Sequence, residues 1–205
     1  MRLLLIHGLG RTPLSMALLG RRLSQQGHCV RYFGYAAFHE SFDQIVARLG
    51  ATICATADLH QYALIGHSLG GILARAALPA LAHIPPCQLV MLAPPNHSPL
   101  LARRSHKYLV YRLTTRNCGD KLVDRAFYAA LPYPTIATTI IAGTAGPRGR
   151  WSPFGDQPND GVITVEETRL GPHTEVILVP SVHTLIMNSP LVTRTICELL
   201  TDVQK

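Results

Sequence analysis

Charge is scarce in this chain. Only 15% of its 205 residues are Asp, Glu, Lys or Arg, against 47% hydrophobic. That balance excludes a disordered chain, and the length suits one globular domain, residues 1–205, with a sizeable core. No apolar run approaches the ~18 residues that a membrane span needs. The opening Met1-Arg2-Leu3-Leu4-Leu5-Ile6 reads as the start of a first strand rather than a leader. Its apolar run breaks at His7-Gly8, and no small-residue cleavage site follows. The five cysteines are odd in number and lack C-x-x-C spacing, so buried, reduced thiols and a cytoplasmic setting are expected. The ten histidines form no H-x-x-x-H or H-E-x-x-H pair, so neither a metal site nor a cofactor is expected. No internal repeat or low-complexity segment is visible.

What charge there is lies unevenly. Residues 100–125 hold Arg103, Arg104, Lys107, Arg112, Arg116, Lys121 and Arg125 against Asp120 and Asp124, a net +5 of the chain's +7. No nucleic-acid fold signature accompanies this patch, so nucleic acid is not the expected partner. The patch suits an anionic membrane surface, an acidic substrate, or simply a solvated helix face.

Periodicity gives a repeated strand-then-helix rhythm. Strands are expected at Arg2–Ile6, Cys29–Tyr35, Tyr62–Ile65, Gln88–Leu92, Ile136–Ala142 and Glu175–Val179. Helices are expected at Pro13–Gln26, over 40–57, from Ser68 to about Leu78, and in a closing segment with Leu191, Val192, Ile196 and Leu200 on its apolar stripe. Strands rich in Val, Ile and Leu alternating with helices imply an α/β fold: a mainly parallel, six-stranded sheet covered on both faces. Ligands of such sheets collect at the carboxyl ends of the strands.

One motif stands at such an end. Gly66-His67-Ser68-Leu69-Gly70-Gly71 directly follows the apolar run Tyr62–Ile65 and directly precedes a helical pattern. A serine on a tight strand-to-helix turn has its hydroxyl lifted clear of the sheet, and the strained backbone requires nearly side-chain-free neighbours two residues away. Ser68 is therefore the candidate nucleophile. It needs a base, and the base needs a partner that fixes its tautomer. His183, just past the sixth strand, leads for the base. His173 precedes that strand, while His7 and His67 belong to turns whose backbone matters more than their rings. Asp160, in the turn Asn159-Asp160-Gly161, leads for the acid; Asp156 is its rival, and Asp120 and Asp124 are weaker. For an oxyanion, Leu69 at the helix start and Leu9 in His7-Gly8-Leu9-Gly10 are placed to offer backbone N–H groups.

With serine, aspartate and histidine in that chain order on a parallel sheet, the sequence resembles the α/β-hydrolases over essentially its whole length. The resemblance is strongest to their compact lipase and GPI-inositol-deacylase-like branch. It rests on Ile6–Gly10, on Gly66–Gly71 with Arg75 behind it, on Asn159–Val162 and on Ser181–Thr184. It implies the nucleophile, acid and base roles for Ser68, Asp160 and His183, and the oxyanion positions for Leu9 and Leu69. It also implies a minimal version of the fold, without the two extra amino-terminal strands of larger members.

Residues 96–134 make a connection far longer than the usual ~2–6 residues. They are expected to form a small helical cap over Ser68, with Tyr108 and Tyr111 meeting substrate. A second insertion, Gly146–Gln157, is expected as a mobile loop bringing Trp151 and Phe154 to the other side. The function expected is hydrolysis of a small-molecule or lipid-like carboxylic ester through an acyl-enzyme. Acyl transfer, thioester cleavage and proteolysis stay open, as does a non-catalytic binding role. Peripheral contact with an anionic membrane is a further expectation.

Overall fold

The computed structural model describes residues 1–56, 61–171 and 175–202. Six strands form one sheet: β1 (Arg2–Ile6), β2 (Cys29–Phe33), β3 (Tyr62–His67), β4 (Gln88–Leu92), β5 (Thr138–Gly143) and β6 (Val176–Val179). Their order is β2-β1-β3-β4-β5-β6 and every pairing is parallel, so the sheet is wholly rather than mainly parallel. The chain winds from β1 outward to β2, then crosses back to β3 on the other side of β1. The carboxyl ends of β1 and β3 therefore flank the point where the winding reverses, the place at which open sheets bind ligands.

Two-residue alternation sends each strand's side chains to two separate cores. Ile6, Leu64, Leu89, Met91 and Ile140 pack with α2 (Phe42–Thr56) and α3 (Leu69–Ala77). Leu3, Leu5, Ile65, Val90, Leu92 and Ile141 pack with α1 (Ala17–Gln25) and α8 (Pro190–Asp202). The helix expected over 40–57 is this α2, with Ala57 outside the described residues. Its buried stripe is Phe42, Ile45, Leu49 and Ile53. Its start is a reciprocal cap: Gln44 N–H donates to Ser41 Oγ (3.2 Å), and Ser41 N–H donates to Gln44 Oε1 (2.8 Å). The helix expected from Pro13 opens as a 3₁₀ turn, Pro13–Met16, before α1 begins.

Between β4 and β5 the long insertion folds as α4 (Leu100–Ser105), α5 (Leu109–Val123) and α6 (Arg125–Ala130). α5 is broken at Arg116, whose φ of 43° and ψ of −133° are not helical. Buried Arg75 on α3 fastens the end of this insertion. Its guanidinium donates to Pro132 O (2.7 Å), Leu131 O (3.2 Å) and Asn96 Oδ1 (3.1 Å). A short α7 (Val165–Thr168), begun by a Thr164–Glu167 capping box, precedes β6. A 3₁₀ turn, His183–Asn188, leads into α8.

The cysteines depart from expectation. Cys118 is buried, but Cys29 and Cys54 are exposed, all five being free. Cys29 belongs to β2, an edge strand whose residues are mostly open to solvent, so strand membership did not imply burial.

Candidate active site

The turn between β3 and α3 holds Ser68 at φ 51° and ψ −121°. Such a conformation costs a non-glycine residue about 1–3 kcal/mol, so the surroundings must impose it. Two features do. Ser68 N–H donates to Leu92 O at the end of β4 (2.8 Å), pinning the turn to the sheet. Gly70 lets α3 start against β1: a Cβ there would lie 2.4 Å from Ile6 O and 2.5 Å from His7 O.

Ser68, His183 and Asp160, which lie up to 115 residues apart, form one hydrogen-bonded chain. His183 Nε2 is 3.0 Å from Ser68 Oγ, and His183 Nδ1 is 2.6 Å from Asp160 Oδ2. Asp160 is 2% exposed and its other oxygen, Oδ1, accepts from Val162 N–H and Ile163 N–H, both at 2.9 Å. An ionised carboxylate only accepts hydrogen bonds, so Nδ1, which faces Oδ2, carries the imidazole proton. Nε2 is then left as an acceptor for the serine proton. His183 N–H also donates to Asp160 O (2.9 Å), so backbone and side chain both hold these two residues together. Asp156 is exposed in its loop, and His173 lies outside the described residues.

Two histidines that sequence reading set aside do more than shape turns. His67 is buried, and its Nε2–H donates to His183 O (3.0 Å). Burial, reinforced by the nearby His183 and Arg11, holds its pKa well below the usual histidine value. His67 is therefore neutral and clamps His183 without opposing a positive charge on it. His7 stacks on Tyr35, centroids 4.2 Å apart and planes 5° from parallel. Tyr35 N–H donates to His7 Nε2 (3.3 Å), which leaves Nδ1 as the protonated nitrogen, donating to Gly8 O (2.9 Å). In a planar trans peptide the N–H points opposite to the C=O. With Gly8 O drawn back to His7, Leu9 N–H is turned the other way. Neither Leu9 nor Leu69 donates its N–H to an acceptor among the described residues. Leu69, as the first residue of α3, has no intrahelical acceptor available. The only signal in the sequence was a histidine beside each glycine turn; their partners lie 28 and 116 residues away.

A cavity of about 490 Å³ opens beside Ser68 and His183. Leu101 and Ala102 of α4, Tyr111, Thr115 and Leu122 of α5, and Val162 and Ile163 form much of its wall. Tyr111 thus faces the cavity. Tyr108, Trp151 and Phe154 do not line it, which corrects their expected place against substrate. Tyr108 precedes α5 as its N-cap, with an extended backbone (φ −86°, ψ 129°), so it leaves the helix face that residues 111 and 115 share and is exposed, with Lys107 Nζ over its ring at 5.1 Å. Phe154 is buried, and Trp151 is 86% exposed beneath the Arg150 guanidinium. That loop is tied by Gly146 N–H to Asn159 O (2.8 Å), Gly149 N–H to Gly155 O (3.0 Å) and Asn159 Nδ2–H to Pro147 O (2.9 Å). Gly10 and Arg11 mark the junction of the cavity with a second hollow of about 450 Å³, lined by Tyr35, Phe38 and Leu113 among others.

The fold recurs in solved structures. The mature lipase BlEst2 of Bacillus licheniformis superposes with a TM-score of 0.68 at 16% identity, covering 97% of this chain and 91% of that one. The RedJ thioesterase from the prodiginine biosynthetic pathway of Streptomyces coelicolor gives 0.62 at 18% identity, covering 98% and 84%. A metagenomic carboxyl esterase gives 0.72 at 16% identity, covering 89% and 64%. At such identities the likeness concerns the fold alone. Among curated proteins no sequence matches this chain. The model of the Alpha/beta hydrolase family matches residues 3–190, nearly the whole length. With that match, and with a parallel sheet bearing a strained serine at its reversal point, the chain belongs to the alpha/beta hydrolase family.

Proposed function

We propose that this protein is a serine hydrolase that cleaves carboxylic esters with an apolar acyl group. The observation that carries the reading is the hydrogen-bonded series Asp160–His183–Ser68 opening on an apolar cavity. Ser68 Oγ attacks the ester carbonyl while His183 Nε2 takes its proton, and Asp160 stabilises the imidazolium. The new C–O bond leaves a tetrahedral oxyanion, for which Leu9 N–H and Leu69 N–H are the donors. Collapse breaks the bond to the alcohol, which leaves with the proton from His183, and the acyl group stays on Ser68. Water then gives a proton to His183 and its oxygen to the acyl carbon; the acid departs and Ser68 recovers its proton.

In this reading residues 96–134 are a cap within a single hydrolase unit, since α4 and α5 supply one wall of the cavity. The narrower kinship with the lipase and GPI-inositol-deacylase-like branch rests on Ile6–Gly10, on Gly66–Gly71 with Arg75 behind it, on Asn159–Val162 and on Ser181–Thr184. Five free cysteines suit a reducing, cytoplasmic setting. Thioester cleavage is the second reading, because the same residues accept either acyl derivative and one similar fold is a thioesterase.

Labelling with a fluorophosphonate, followed by ester and thioester panels of graded chain length, tests the assignment. Ser68→Ala should abolish labelling and lower turnover by about 10⁶ while leaving the fold intact. Persistent covalent labelling of that variant would remove Ser68 from the role.

A further inference from the structure

The carboxyl edge of the sheet gathers apolar side chains that face water. Leu14 is 81% exposed, Phe38 52%, Leu109 66%, Val110 73%, Leu113 59% and Trp151 86%. They come from four connections, those after β1, β2, β4 and β5. Nothing in the sequence clusters them; the parallel topology does, because each of those connections leaves the same edge. Phe38 and Leu113 line the hollow that meets the cavity at Arg11, so these two apolar side chains adjoin the mouth of the cavity itself. Exposed apolar side chains scattered singly need no explanation, but a rim of them around one opening marks an interaction surface.

The charges beside the rim select the partner. Arg104, Lys107, Arg112 and Arg116 are exposed and surround Leu109, Val110 and Leu113 in the chain. None of the four takes part in an ion pair among the described residues. Apolar side chains among uncompensated cations fit a headgroup layer, where the former enter the acyl boundary and the latter meet phosphates. No helix among the described residues is long and apolar enough to cross a membrane, so such contact is peripheral. We propose that the rim of the cavity, centred on the first turns of α5, docks on an anionic lipid surface. Docking would present the opening to the bilayer, and it does not depend on the reaction proposed for Ser68.

The test is co-sedimentation of the whole protein with phosphatidylcholine vesicles, with and without phosphatidylglycerol, at low and high salt. The expected result is binding to the anionic vesicles alone, and release at high salt. Each basic residue near such a leaflet strengthens binding by about fivefold, so R104E/K107E/R112E should weaken it at least about a hundredfold. L109S/V110S, which removes apolar surface without changing charge, should weaken it as well, while binding of heparin, a soluble polyanion, is unchanged. Neither variant touches the cavity lining, so far-ultraviolet circular dichroism, thermal melting and fluorophosphonate labelling should match wild type. Equal recovery with both vesicle types, or none with either, would overturn the proposal. So would vesicle binding that survives both variants, or that L109S/V110S leaves intact, which would make the surface a general polyanion site.

Discussion

Replacing Asp160 by asparagine preserves the size of the side chain and inverts one hydrogen bond. The amide has two orientations. In the first, its oxygen keeps the bonds from Val162 and Ile163 N–H, both 2.9 Å in the native site, and its NH₂ faces His183 Nδ1. In the second, the oxygen faces His183, and the NH₂ confronts two buried N–H donors. Leaving those two donors unpaired costs about 1–3 kcal/mol each, so the first orientation prevails by about 2–6 kcal/mol. His183 must then accept at Nδ1 and carry its proton on Nε2, 3.0 Å from Ser68 Oγ, where it can no longer take the serine proton. A rate decade is worth about 1.4 kcal/mol, so that gap spans most of the ~10⁴-fold loss expected for a base held in the wrong tautomer. The loss should appear in kcat, with KM nearly constant, because Asp160 does not line the cavity. Steady-state turnover of a soluble chromogenic ester, alongside the rate of fluorophosphonate labelling, measures it. Asp156→Asn, in an exposed position, should change turnover less than twofold, within the small effects usual for surface substitutions. The reasoning is refuted if Asp160→Asn retains turnover within tenfold of wild type, or if Asp156→Asn proves the more damaging.

Three other outcomes are expected. Gly70→Ala should unfold the β3–α3 turn or abolish labelling, since its Cβ would meet backbone oxygens at 2.4 and 2.5 Å; a soluble, fully active variant would contradict the packing. His7→Phe should keep the stack on Tyr35 but free Gly8 O, lowering kcat by roughly tenfold or more while the thermal midpoint moves little; unchanged kcat would show that Leu9 needs no such orientation. Stability should fall with acid. His67 and His7 have pKa values lowered by burial, so below the ordinary histidine value near 6.5 the unfolded chain binds protons that the folded one refuses. Each such group removes up to about 1.4 kcal/mol per pH unit as pH drops through that window, with full stability retained above it. Denaturant titrations at pH 7.5 and 5.5 should therefore differ, and equal unfolding free energies would show that the rings are not buried neutral.

The strands and most helices were legible because their signals are local: apolar runs, a proline at a helix start, and stripes such as Phe42–Ile45–Leu49. Ends were less so. β2 stops at Phe33 rather than Tyr35, because Tyr35 turns away to stack on His7, a contact 28 residues distant. The three side chains of the site were also legible, since a parallel sheet delivers the ends of β3, β5 and β6 to one edge. The cavity wall was not. Helical spacing alone would put Tyr108 and Tyr111 on one face; what separates them is that α5 begins only at Leu109, after an extended Tyr108, which composition does not reveal. The hydrogen-bonding duties of the His7 and His67 rings escaped for the same reason: each is fixed by a partner remote in the chain.

β6 is bonded along one side only, and its Ile177 and Leu178 are 36% and 52% exposed. His183 follows it by four residues, whereas Ser68 rides on β3 in the middle of the sheet. Edge strands release by subglobal opening, at less free energy than melting of the whole sheet. Each such excursion withdraws the imidazole and leaves the serine turn standing, a state that is folded by most spectroscopic measures and chemically silent. Heat inactivation would then follow the opening of one four-residue strand rather than the melting temperature of the molecule. Hardening this enzyme for prolonged use would begin at β6 rather than in the core.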